Sequence, residues 1–146
     1  MNKLSDKKQK TINDFVDKAI VSYRNKDFPS GISFLLKAWG ELPSPKVIFP
    51  DSFRISTYII EIYLKMNNID DAIKWSKITY LCDLERAEIG EREFISGKIA
   101  FESSNMEDAK YYFWIAHKKS GGRCFVDTDK KYFNFFKEEI KGKYPF

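Results

Sequence analysis

The sequence predicts an all-α fold of about seven helices: three antiparallel helical hairpins and a C-terminal capping helix, forming a single domain over 1–146. Three observations carry that prediction. Lys26-Asp27-Phe28-Pro29-Ser30-Gly31, Asn67-Asn68-Ile69-Asp70-Asp71-Ala72 and Ser104-Asn105-Met106-Glu107-Asp108-Ala109 each give a short polar turn, then a small residue, then an apolar run. Between the turns, apolar residues recur every three or four positions, the spacing of one helix face. Hydrophobic residues make up 43% of the 146 and aromatics 16%, so the chain can bury roughly 70% of its unfolded surface without a disulfide staple.

Ile12, Phe15, Val16, Ala19, Ile20 and Tyr23 form one stripe on a first helix ending near Asn25. Asp27 caps the second helix, which accepts Pro29 in its first turn and carries Ile32, Leu35, Leu36 and Trp39 inward. Pro43 and Pro45 stop it, closing a hairpin over 11–42, and Pro50 prolongs the irregular stretch. In the hairpin over 51–83, Asp51 or Ser52 caps a helix bearing Phe53, Ile55, Tyr58, Ile59, Ile62, Tyr63 and Met66. Its second helix runs from Ile69 to Cys82. The hairpin over 85–119 runs from Glu85 to Phe101, turns at Ser103-Ser104-Asn105, and returns from Met106 to Lys119. Gly121-Gly122 then supplies the left-handed conformation of a helix C-cap. The capping helix, 128–141, carries Tyr132, Phe133, Phe136 and Ile140 on one face.

Aligned on Gly31, Ala72 and Ala109, the repeats are separated by 41 and 37 residues. Gly97, Ala109, Phe113 and Ala116 in the third repeat match the small and large packing positions of the tetratricopeptide family. Ala19, Gly31, Leu35, Ala38 and Pro43 match in the first, and Tyr63 and Ala72 in the second. On these residues the chain resembles that family over 12–119, although the family repeats at about 34. The prolines from Pro43 to Pro50 and the charged stretch from Asp83 to Glu88 account for the longer spacings. The resemblance implies a right-handed α-solenoid whose first helices line a concave groove. It implies groove residues Asn13, Val16 and Ile20, then Arg54, Thr57, Glu61 and Lys65, then Glu91, Phe94, Lys98 and Glu102, with Glu88 beside them on the acidic stretch.

Little in the sequence points to catalysis or cofactors. His117 is the only histidine, and Cys82 and Cys124 lack the spacing of a zinc or redox motif. No metal or cofactor is expected, and we expect a non-enzymatic protein. The acidic pairs Asp70-Asp71 and Glu107-Asp108 read as first-turn carboxylates that complete caps and complement the helix dipole. The charged N-terminus lacks the apolar core of a signal peptide, and no apolar run reaches the roughly 18 residues of a membrane span. A cytoplasmic protein with no membrane association is expected.

The net charge of +4 is unevenly spread: residues 83–109 hold eight acids and three bases, and 118–146 hold eight bases and four acids. A nucleic-acid binder usually shows one continuous basic stripe, so the acidic middle disfavours that class. Repeats that must stack to bury their apolar faces create extended surfaces suited to a protein ligand. We therefore expect one protein partner, met by Arg54, Thr57, Glu61, Lys65, Glu88, Glu91, Phe94, Lys98 and Glu102. Gly90-Glu91-Arg92-Glu93-Phe94 to Phe101-Glu102-Ser103, continuing through Ala109-Lys110-Tyr111-Tyr112-Phe113 to Lys131-Tyr132, resembles small stand-alone bacterial immunity proteins, and that resemblance implies neutralisation of a cognate toxin. The alternative is a nucleic-acid-binding helical protein with Lys118, Lys119, Arg123, Lys130 and Lys131 on phosphates.

Overall fold

The computed structural model of the chain describes residues 3–140, apart from the side chains of residues 86–88 and 140. The all-α expectation holds: the described residues form seven α-helices and no strand. In chain order they are α1 (Asp6–Arg24), α2 (Phe28–Glu41), α3 (Pro50–Lys65), α4 (Ile69–Thr79), α5 (Glu91–Glu102), α6 (Met106–Ser120) and α7 (Lys130–Ile140). Short 3₁₀ turns occupy Lys46–Ile48, Leu84–Ile89 and Arg123–Phe125.

The three polar turns repeat one set of backbone bonds. The Asp27, Asn68 and Asn105 amides each donate to the carbonyl five residues back, at Ser22, Tyr63 and Ala100, and all three bonds measure 2.8 Å. The residue before each is left-handed: Lys26 at φ 60°, Asn67 at 57° and Ser104 at 64°. That combination is the Schellman closure of a helix end. The same Asp27, Asn68 and Asn105 then cap the next helix, their side-chain oxygens accepting from the amides of Ser30, Asp71 and Asp108 at 3.3 Å. Four residues after each cap stands the small residue singled out in the sequence, and Gly31, Ala72 and Ala109 are all buried.

α1 starts earlier than the sequence reading, at Asp6, α4 ends at Thr79 instead of Cys82, and two further boundaries differ in instructive ways. α3 begins at Pro50 with Phe49 as its N-cap, and neither Asp51 nor Ser52 caps it. Proline lacks the amide that a first turn leaves unbonded and already has helical φ, so Pro50 starts the helix instead of prolonging the loop. The stretch after Asp83 is a 3₁₀ turn, and α5 starts only at Glu91, because Gly90 at φ 87° interrupts the helix. A Cβ on Gly90 would lie 2.9 Å from the Ala116 carbonyl oxygen, so the start of α5 needs a bare backbone against α6.

The chain divides into two compact units between Leu84 and Glu85. In the first unit α1 packs on α2, α2 on α3, and α3 on α4. Ile12, Leu35, Ile55, Ile59 and Ile60 are fully buried at its centre. Trp39 of α2 meets Trp75 of α4 edge to face at 5.2 Å. The loop between α2 and α3 is held by Lys46, whose ammonium donates to the carbonyls of Trp39, Gly40 and Leu42 at 3.0, 3.4 and 2.7 Å. A helix end leaves its last carbonyls short of amide donors, and of these three the Trp39 carbonyl also accepts from the Leu42 amide at 3.1 Å.

In the second unit α5 packs on α6, and α7 with the Arg123–Phe125 turn packs on α6. Phe94, Phe113, Tyr132 and Phe136 form an aromatic core with Ala100, Ala109 and Ala116. On α7 the buried face carries Tyr132 and Phe136, with Phe135 beside Phe101 at 5.2 Å. Phe133, expected on that face, is 37% exposed and leans on Phe125. The side chain of Ile140 lies outside the described residues.

Candidate functional site

Within the first unit, α1 and α3 lie on either side of α2 and leave a cleft of 250 Å³. Ala19, Ile20 and Tyr23 of α1 form one wall, Tyr58, Glu61 and Ile62 of α3 the other, and Leu35 of α2 also lines it. Tyr23 and Tyr58 stand on its rim at 37% and 38% exposure. Behind the cleft the three helices approach closely at Gly31: a Cβ there would come within 2.9 Å of Ile62 Cδ1 and 3.7 Å of the Ala19 carbonyl oxygen. The small residue of the first repeat is thus what sets α2 deep between the two walls.

Toward the start of α1 and α3 the same face becomes polar. Gln9 Nε2 donates to Asn13 Oδ1 at 3.1 Å and to Asp51 Oδ2 at 2.9 Å. Arg54 donates from one guanidinium nitrogen to the same two acceptors, each at 3.0 Å. The network ties α1 to α3 and satisfies Asp51, whose side chain is only 14% exposed. Its ion pair contributes little stability at such a surface. Its effect is positional, holding the two walls in register.

The expected site residues divide between the units. On α3, Arg54 belongs to that network, Thr57 is half-buried with its hydroxyl donating to the Arg54 carbonyl at 2.9 Å, Glu61 lines the cleft, and Lys65 is exposed at the helix end. Of these, Arg54 is bonded to Asn13 of α1, and Glu61 lines the cleft with Ile20 of α1. On α5, Glu91 is half-buried in the first turn. Phe94 is 6% exposed in the aromatic core, and Lys98 is 8% exposed with its ammonium 5.2 Å from the Phe94 ring centroid. Burial lowers the Lys98 pKa to about 8. Glu102 is half-buried, accepting from the Tyr132 hydroxyl at 2.8 Å and pairing with Lys131 at 2.7 Å. The Glu88 side chain lies outside the described residues.

Sequence reasoning missed Tyr23, Leu35, Tyr58 and Ile62 as parts of a cleft. Periodicity assigned them to the inner stripes of their helices, and periodicity alone cannot tell a filled interface from a partly open one. Exposure of the two tyrosine rims is a tertiary property. Gln9 was missed because the first helix starts at Asp6, capped by Ser5, one and a half turns before the apolar stripe begins.

Among the described residues no group of histidine, cysteine and carboxylates is arranged to hold a metal ion, and no helix is long and apolar enough to cross a membrane. His117 lies face to face with Trp114, the planes 8° apart, and burial followed by the Lys118 charge lowers its pKa. Cys82 is buried beside Ser56 and donates to the Ile78 carbonyl at 3.3 Å. Burial raises the Cys124 thiol pKa against opposing hydrogen bonds. Comparison with protein-family models, with curated proteins and with solved structures found no match to this chain.

Proposed function

We propose that this protein is a tetratricopeptide-like, non-enzymatic module that binds one protein partner through the α1–α3 face of its first unit. The observation that carries the reading is the cleft itself. Pockets that enclose drug-sized molecules run to roughly 300–1,000 Å³, and 250 Å³ with an almost wholly apolar lining falls below that range. It matches a receptacle for one or two side chains from a macromolecular partner, the usual form of an interface anchor. The polar network at Gln9, Asn13, Asp51 and Arg54 provides the hydrogen-bonding rim that surrounds such an anchor.

In its finer form the proposal is that the partner is a bacterial toxin and that binding neutralises it. This rests on the resemblance to small stand-alone repeat proteins. A toxin-like reading frame beside the gene, and rescue of growth when both are expressed, are the outcomes expected.

The nucleic-acid alternative loses support from its own residues. Lys119 pairs with Glu93 at 2.9 Å and Lys131 with Glu102 at 2.7 Å, while Lys118 sits 5.4 Å from the Trp114 ring centroid. Bases engaged this way must give up internal partners to reach phosphates.

Affinity capture from the native host with the wild type and with Ile20→Trp, which fills the cleft, tests the proposal. One stoichiometric protein, lost with the variant, is expected. Capture of nothing, or of nucleic acid alone with steep salt dependence, defeats it.

A further inference from the structure

We infer that the α1–α3 face selects a partner segment that places an apolar side chain in the cleft and, about three extended residues away, an uncharged Asn or Gln whose amide meets Asn13 and Arg54. This rests on the protein-binding reading above and adds the chemistry of the bound segment.

The polar network at the start of α1 and α3 is filled at its centre and open at its edges. Asn13 Oδ1 and Asp51 Oδ2 each accept from both Gln9 and Arg54. Those bonds occupy the amide nitrogen of Gln9 and, on Arg54, Nη2 alone. Among the described residues, Asn13 Nδ2 and the Nη1 and Nε of Arg54 donate to nothing, while Gln9 Oε1 and Asp51 Oδ1 accept nothing. A docked segment takes these groups out of water, and a donor or acceptor covered without a partner costs affinity. The segment must therefore bring both kinds of group, acceptors foremost, because the unused N–H groups outnumber the unused oxygens. A primary amide supplies a carbonyl and an NH₂ together.

Charge decides between an amide and an ion. Arg54 is answered by Asp51 at 3.0 Å, and Asp17 stands exposed one turn along α1 from Asn13. A carboxylate on the segment would join those two acids around a single base, and a lysine or arginine would face the guanidinium and the surplus N–H groups. A neutral group avoids both. Glu61, the charged residue of the cleft lining, is already engaged within the chain. The reach follows from helix geometry. Asn13 and Ile20 stand two turns apart on α1, roughly 10 Å, which sets the spacing between the amide and the apolar anchor.

Selection from a displayed library of random dodecapeptides on the immobilised full-length protein tests the inference. Wild type is expected to enrich peptides pairing an apolar residue with Asn or Gln at that spacing. Asn13→Asp keeps the oxygen that accepts from Gln9 and Arg54 and removes the unused NH₂. Against one enriched peptide it is expected to weaken binding about tenfold, the scale of a hydrogen bond lost at a covered group, and a fresh selection on it is expected to shift toward Lys and Arg. Circular dichroism and thermal melting verify that Asn13→Asp and Ile20→Trp remain folded. Apolar peptides with no amide preference, or with Asp and Glu in its place, lost with Ile20→Trp but indifferent to Asn13→Asp, would overturn the inference and leave the cleft reading intact. Enrichment unaffected by Ile20→Trp, or no enrichment, would overturn both.

Discussion

Gly97 and Phe113 show how far single residues decide this fold. A Cβ on Gly97 would lie 2.5 and 2.6 Å from the Phe113 ring carbons Cδ1 and Cε1. Phe113 is fully buried among Phe94, Phe125, Tyr132 and Phe136, so its ring has nowhere to swing. Gly97→Ala is expected to destabilise the protein by about 1–3 kcal/mol through overpacking. Urea denaturation at equilibrium measures it, and an unchanged midpoint would show that the ring yields freely. This pair was legible in the sequence, since Gly97 and Phe113 stood at the small and large positions of the third repeat.

Lys98 gives a second prediction at this scale, with a definite sign. Its unfolded pKa is near the ordinary lysine value of 10.5 and burial lowers the folded value to about 8. Between those values the unfolded chain binds more protons, so the residue's contribution to stability rises with pH across the window. Below about pH 8 both states are protonated and the penalty of burying the ammonium is present in full. Lys98→Met should therefore be more stable than wild type at neutral pH, with the difference shrinking from pH 8 toward pH 10.5. The difference between the two proteins isolates Lys98 from other alkaline groups, such as Cys124 and Tyr63, whose pKa values are raised. A constant difference at every pH would refute the assignment. Sequence could not reveal this burial. Lys98 falls on the face that a first helix would turn to a groove, yet Arg92, Glu93 and Lys98 are all buried on α5.

At the scale of elements, turn chemistry was the most readable signal. Asn68 and Asn105 cap helices as their positions foretell, and each also donates from its amide nitrogen to the following Asp71 or Asp108 at 2.8 Å. The ends of α2 and the starts of α3 and α5 were harder. Proline both ends one helix and opens the next, and only the surrounding chain decides which, so Pro50 was read on the wrong side of its loop. The end of α2 has no glycine cap, and Leu42 there is extended. Lys46 closes it instead through three carbonyls, a long-reach solution with no local spacing to betray it. Lys46→Met should keep the aliphatic stem but lose the charged hydrogen bonds, costing about 1–3 kcal/mol. Denaturant titration of this variant beside Lys37→Met, an exposed lysine of α2, reads the difference. Equal midpoints would mean that solvent satisfies the α2 carbonyls equally well.

At the scale of the whole molecule, the all-α class and the number of helices follow from periodicity and caps, which are local. The division between Leu84 and Glu85 falls in the charged stretch that lengthens the second repeat spacing, a feature visible in the sequence as an insert. The candidate site was half legible. Asn13 meets Arg54, and Ile20 and Glu61 line one cleft, because two helices with their own stripes pack on a common third. The cleft between them required the depth at which Gly31 seats α2.

The central claim is that a protein partner binds this α1–α3 face. Hydrogen–deuterium exchange of the full chain, read by mass spectrometry with and without the captured partner, tests it most directly. Slower exchange concentrated in peptides spanning 13–24 and 54–65 is the predicted result. Protection confined to α5, α6 and α7, with those two segments unchanged, would contradict it.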